Sequence, residues 1–315
     1  MKKRIISVLL ATVFALSVIG CGTKDTKEQD AYRQYGITCM ESGKYEDAVK
    51  AFQNALGESI GHIGEKELDI CFYKAKAQAL DGKTKDALAT YNAIIKYNKD
   101  ARAYYLRGDL YMDMGEEKKG RADFESAVQQ GKKNYEIYIG IYESLSRHEK
   151  KDEGQKYLSA AMEIKGDKPE DELYKGRISY LLGENKDAIS YLEKAKEHKQ
   201  MLASYYLGLA YDANGDSDKA KKCIAEYIKS ATSYDLYELG MQEMQDGNYK
   251  NALTYFNSGL ELEKVPNKQN LMKSAIAAYE YSGDFDSAKK MMKEYLKAYP
   301  DDEEAKHENT FLETR

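Results

Sequence analysis

An all-α array of about eight tandem helical hairpins is what this sequence predicts, and three regularities predict it. Seven glycines (Gly43, Gly82, Gly115, Gly183, Gly215, Gly247 and Gly283) each close one amphipathic stretch and precede another. With Glu149 filling the one gap, their successive spacings are 39, 33, 34, 34, 32, 32 and 36 residues. Five positions after each marker the residue is small: Ala48, Ala87, Gly120, Gly154, Ala188, Ala220, Ala252 and Ala288. Nine positions after, it is large and apolar or aromatic: Phe52, Tyr91, Phe124, Leu158, Leu192, Ile224, Phe256 and Met292. Self-similarity at a fixed period of this length is the signature of stacked supersecondary units.

The first 20 residues lie outside that array. Lys2, Lys3 and Arg4 form a basic start, and Ile5 to Val18 carry no charge. An apolar run this short, followed by small residues, reads as a secretory signal and not as a spanning helix. It ends in Val18-Ile19-Gly20-Cys21, which resembles the lipobox of bacterial lipoproteins. The resemblance implies that the signal is cut before Cys21 and that Cys21 carries acyl chains, palmitate among them, on its sulfur and new N-terminus. Two or three such chains suffice for stable anchoring. The same resemblance places the chain on the extracytoplasmic face of a cell membrane, or on an outer membrane if the envelope has one. Residues 21–28 then form a lipid-anchored polar linker, reaching at most ~25 Å when extended, so the first repeat sits close to the bilayer.

The array spans 29–302 and is built the same way throughout. Seven positions before the markers stand Gly36, Ala75, Gly108, Tyr142, Gly176, Gly208, Gly240 and Ile276, which are mostly small. A small residue there, and another five after the turn, lets two antiparallel helices approach closely. The bulky residue four further on shares the second helix's face and is expected to fill the gap toward the next unit. Asp216, Asn248 and Asp284 follow their glycines where a second helix needs an N-cap. Pro169 and Pro266 stand near helix starts and Pro300 at a helix end, where a missing N–H is tolerated. The segment Gly57-Glu-Ser-Ile-Gly-His-Ile-Gly64 lengthens the first junction and accounts for the spacing of 39. Residues 303–315 are charged and suit a short, partly frayed closing helix with the polar outer face that a terminal unit needs.

This small–glycine–small–large pattern resembles the tetratricopeptide repeat, a 34-residue helix-turn-helix unit, which implies a right-handed α-solenoid. The family's tryptophan is absent throughout and is replaced by Tyr32, Cys71, Tyr104, Tyr138, Glu172, Ser204, Leu236 and Met272. Its closing proline is met only by Pro300. Repeat 4, which has Glu149 at the turn, departs furthest.

Composition excludes several function classes. Loss of Lys2, Lys3 and Arg4 takes the formal net charge from −5 to about −8, and an acidic chain of mixed charge is no nucleic-acid binder. Cys39, Cys71 and Cys223 are far apart and odd in number, so they read as buried free thiols; a Cys39–Cys71 bridge is the sharper alternative, since both fall on first helices of neighbouring repeats. Gly82-Lys83-Thr84 copies the end of a phosphate loop, but Ala77 stands where a glycine is required and the segment follows a helix. His62, His148, His198 and His307 lie near junctions, remote from one another in sequence, so neither a metal nor any other cofactor is expected. Open stacks do not set two carboxyls across a closed cleft, so no catalytic residues are expected either.

In the family that the repeats resemble, first helices line a groove that receives peptides or partner helices. Carrying over its groove positions gives Arg33, Asp69, Lys76, Arg102, Asp109, Asp113, Glu136 and Arg147 in repeats 1–4, with Phe72, Tyr105 and Met112 as their apolar members. Repeats 5–7 give Leu173, Tyr180, Leu181, Tyr205, Leu209, Tyr234, Tyr237, Met241 and Met244. Tyrosine and methionine suit an adaptable binding surface, one rigid and the other pliable. The expectation is a non-catalytic scaffold that binds a protein or peptide partner there, with membrane contact through Cys21. The alternatives are a sensory lipoprotein that binds a glycan or small molecule, and a divergent α/α-fold hydrolase.

Overall fold

The protein, as a computed structural model, is described over residues 27–59, 63–166 and 168–315. The signal segment and the lipidation position Cys21 lie outside the described residues, as do His62 and most of the centre of the lengthened first junction. Among the described residues there are 17 α-helices and no strand. The fold is an all-α helical-repeat solenoid, as the glycine spacing predicts.

Two compact units divide the chain near residue 216. The first holds α1 (Lys27–Glu41) with α2 (Tyr45–Gly57), α3 (Glu65–Leu80) with α4 (Thr84–Asn98), and α5 (Ala101–Asp113) with α6 (Glu117–Gln130). It continues with α7 (Tyr135–Arg147) and α8 (Lys151–Met162), α9 (Pro169–Leu182) and α10 (Asn185–Glu197), and ends on α11 (Met201–Ala213). The second holds α12 (Ser217–Ser230), α13 (Ser233–Gln245) with α14 (Tyr249–Leu260), α15 (Lys268–Ser282) with α16 (Phe285–Ala298), and α17 (Glu303–Leu312). Among the described residues, no helix is long and apolar enough to cross a membrane.

Every marker is a left-handed residue closing a first helix. The seven glycines have φ between 69 and 86°, and Glu149 adopts φ 61° in their place. At all eight turns the next residue donates its N–H to the carbonyl five positions back, at 2.8–2.9 Å. This closure satisfies carbonyls that the helix end leaves open. Of the residues assigned as caps, Asp284 accepts from the Ser287 N–H at 3.1 Å. Asn248 makes no side-chain cap bond, although its N–H closes the turn in the same way.

The small and large positions meet within one hairpin. A Cβ on Gly36 would stand 2.6 Å from the Phe52 ring, one on Gly108 2.8 Å from the Phe124 ring, and one on Gly176 2.5 Å from Leu192. Phe52, Phe124, Leu192 and Phe256 are fully buried over these glycines. The expectation that the bulky residue reaches mainly toward the next unit is therefore corrected: it lies on the partner helix's missing Cβ. Repeat 4 inverts the pair, with the bulky Tyr142 on the first helix lying against Gly154 on the second.

The C-terminal helix is docked and not frayed. Ala305 and Leu312 are buried against Met272, Ile276, Met292 and Tyr295. Asp302 caps α17 through the Ala305 N–H at 3.1 Å, while accepting from the Tyr295 hydroxyl at 2.5 Å and from Lys273 Nζ at 2.8 Å. Burial alone would raise the Asp302 pKa, but the bonds from Lys273, Tyr295 and Ala305 outweigh it and hold the carboxyl at about 2. Cys39, Cys71 and Cys223 are free thiols, so the Cys39–Cys71 bridge does not form.

Candidate interaction surface

First helices of neighbouring repeats in the first unit are tied side to side by charge. Arg33 on α1 donates Nε and Nη2 to Asp69 on α3, at 2.8 and 2.6 Å, and its guanidinium lies over the Tyr73 ring at 5.2 Å. Arg102 on α5 pairs with its own cap residue Asp100 and covers the Phe72 ring of α3 at 4.5 Å. Arg147 on α7 donates to Asp109 on α5 at 2.5 Å, and the ring nitrogen of His148 lies 3.1 Å from Asp113. Arg177 on α9 reaches Glu143 on α7 at 3.0 Å and Glu136 at 3.3 Å, and its guanidinium lies 5.4 Å from the Tyr206 ring centre on α11.

Most of these charges sit half out of water, where the environment tests their partners. Burial by itself would lower the Arg177 pKa, but Tyr206, Glu136 and Glu143 overcome it and hold the guanidinium firmly charged. Burial pushes the Asp109 carboxyl up, and Arg147 only partly offsets this. The hydroxyls of Tyr105 and Tyr206 are pushed up mainly by burial. These groups fix the spacing of successive first helices.

The charged members of the surface read from the sequence are thus real neighbours, joined to one another: Arg33 with Asp69, Asp109 with Arg147, Glu136 with Arg177. Arg177 and Tyr206, which complete the row, were not among them. The apolar members divide. Leu173, Tyr205, Tyr105 and Met112 are buried, so they belong to the core and not to a surface. In the first unit Tyr180, Leu181 and Leu209 are half-buried. In the second, Tyr237, Met241 and Met244 are half-buried and pack one side against the core built on Ala252, Phe256 and Leu271. Tyr234, at 42% exposure, stands out into solvent. Leu173 lies on α9, which packs on α10 and also against α8 and α11, and Tyr205 lies on α11, which packs on α10 and α9, so each helix leaves a narrower free stripe than one hairpin alone would show.

Comparison with known proteins follows the same line. Models of the tetratricopeptide repeat match residues 74–135, and again 202–231 and 269–302. No curated protein matches the sequence. Among solved structures it is similar to a tetratricopeptide repeat protein from Parabacteroides merdae, at 12% identity and a TM-score of 0.42, covering 80% of this chain and 99% of that one. It is similar to the C-terminal part of a tetratricopeptide repeat-containing protein from Cytophaga hutchinsonii, at 15% identity and a TM-score of 0.35, covering 86% and 97%. YrrB, described as having an unusual peptide-binding site, is similar at 22% identity and a TM-score of 0.32, covering 57% and 92%.

Proposed function

We propose that this chain is a non-catalytic interaction scaffold, held by lipid at Cys21 on the extracytoplasmic face of a bacterial membrane, which binds a partner peptide or helix along the first helices of its repeats. One observation carries the scaffold reading: the first-helix charges are spent on each other across repeats, from Arg33–Asp69 to Arg177–Glu143. What remains available beside them is a set of half-buried or exposed tyrosine, leucine and methionine side chains. Such a surface grips by shape and apolar contact and has no activated nucleophile or base to turn over a substrate. Tetratricopeptide repeats are in general protein-binding modules, which agrees with this reading. The anchor rests on Val18-Ile19-Gly20-Cys21 behind a basic start and an apolar run.

The two parts are tested separately. Labelled palmitate is expected to enter the wild-type chain and not Cys21→Ser, and the variant is expected to leave the membrane fraction; labelling that survives the substitution removes the anchor. Tyr234→Ala is expected to keep the thermal midpoint within a degree or two while losing a co-purifying protein partner. A midpoint that falls by many degrees would make Tyr234 a packing residue instead.

A further inference from the structure

We propose that Asp109, Asp113 and His148 form a binding site for one divalent transition-metal ion of the zinc class, joining repeats 3 and 4. The two carboxylates are one turn apart on α5, and His148 is the residue that ends α7. One potential ligand atom from each of the three lies within 4.8 Å of the other two. Two ligands at ~2.0–2.2 Å from one ion lie at most ~4.4 Å apart, so a small closure of these side chains seats an ion of this class, and three protein ligands leave a coordination position for water.

Three features distinguish this cluster from the other cross-repeat pairs. Between α1 and α3, Arg33–Asp69 is joined by Lys66–Asp30 and Gln29–Glu67, and none of these pairs sets an imidazole beside its carboxylates. Between α5 and α7 that tie already exists as Arg147–Asp109, so Asp113 and His148 are surplus to it. Second, the Ser144 hydroxyl, one turn before His148, is fully buried with no hydrogen-bond partner. Third, the ligands are graded in access: Asp109 is buried, His148 is half-buried and Asp113 is exposed, so an ion can enter from solvent and meet a fixed carboxylate behind it. Arg147 occupies one oxygen of Asp109 and leaves the other to be shared. A metal here closes a ring between α5 and α7 and stiffens the step between the third and fourth repeats.

Equilibrium titration of the metal-free full chain in detergent with Zn2+ tests the site. Saturation at one ion per chain in the micromolar range is expected, with His148→Ala and Asp113→Asn each weakening it at least ~tenfold. His307→Ala, a histidine on α17 of the other compact unit, is expected to leave it unchanged. Saturating Zn2+ is also expected to raise the thermal midpoint of the wild type and not of His148→Ala, since an ion that binds only the folded chain stabilises it. Both substitutions fall on solvent-accessible side chains, and their metal-free midpoints report folding directly. Binding unmoved by either substitution, or no saturation below millimolar Zn2+, overturns the site and leaves His148–Asp113 as one more cross-repeat pair.

Discussion

Gly240 sits where a Cβ would enter the Phe256 ring, and this single missing carbon sets how near α13 can come to α14. Alanine is the better helix former by about 1 kcal/mol, so on propensity alone Gly240→Ala would stabilise. The ring is fully buried and cannot swing away, so overpacking wins, and a net loss of about 1–3 kcal/mol is expected. Thermal unfolding of the variant measures it, and Phe256→Leu in the same chain should recover part of the loss because the two sites share one contact. The turn markers obey a different rule. Nothing lies within 4 Å of a Cβ placed on Gly82, whose φ is 74°, so its role is conformational alone. Glu149 holds the equivalent turn at φ 61° with a side chain. Glu149→Gly should therefore stabilise by about 1 kcal/mol, and Gly82→Ala should destabilise by a similar amount. Equal shifts of the same sign in the two variants would show that the left-handed turn is not what these positions select.

Between helices, the deciding quantity is how far each ion pair is removed from water. Arg177 is 15% exposed and holds two glutamates on the preceding first helix. Arg177→Ala leaves them facing each other without a counterion. A loss of about 1–3 kcal/mol is expected, between the values for surface and buried pairs. Lys50–Glu46, with both side chains more than 60% exposed, is the control, and Lys50→Ala should change stability by less than about 0.5 kcal/mol in the same urea titration. At the C-terminal end, Asp302 is the pin of α17. Its carboxyl titrates near 3.8 when unconstrained and at about 2 in the folded chain. A depressed acid pKa contributes stability that is fully present above the unconstrained value and is lost as pH falls through the folded one. Hydrogen exchange in α17 should thus rise between about pH 4 and 2 ahead of α13 and α14, and Asp302→Asn should show that rise already at neutral pH. Exchange in α17 that is unchanged by the substitution would mean that Ala305 and Leu312 hold the helix without help.

Across the whole chain, the repeat frame was legible in the sequence because each unit writes the same physical demand at the same offset: a left-handed turn, a residue without bulk, and a ring to fill the space. Even Glu149 was placed correctly by spacing, since the turn demands a backbone conformation before it demands glycine. The surface was less legible. Leu173 and Tyr205 look like groove residues from one hairpin, but the helices packed on α9 and α11 leave them buried, and the amount of cover depends on stacking that no local pattern states. Arg177 and Tyr206 escaped notice because their partners lie a full repeat away. The sequence places His148 near a junction but not beside a carboxylate, although counting back from the turns sets the two together: His148 stands one position before Glu149, and Asp113 stands two before Gly115. Aligning repeats by their turns, then searching across adjacent copies for opposite charges or shared ligands, is the signal that would have revealed these contacts.

What the account claims of the molecule is a binding face on the first helices and an inert one on the second. A photo-activated phenylalanine analogue placed at Leu209 or Tyr234, in the full chain in its own cells, tests this most directly, with Lys186 on α10 and Lys290 on α16 as exposed controls. The account predicts adducts to one and the same protein from the first two positions and none from the controls. Adducts equally frequent from all four positions, or none from any while the purified chain turns over a substrate, would contradict it.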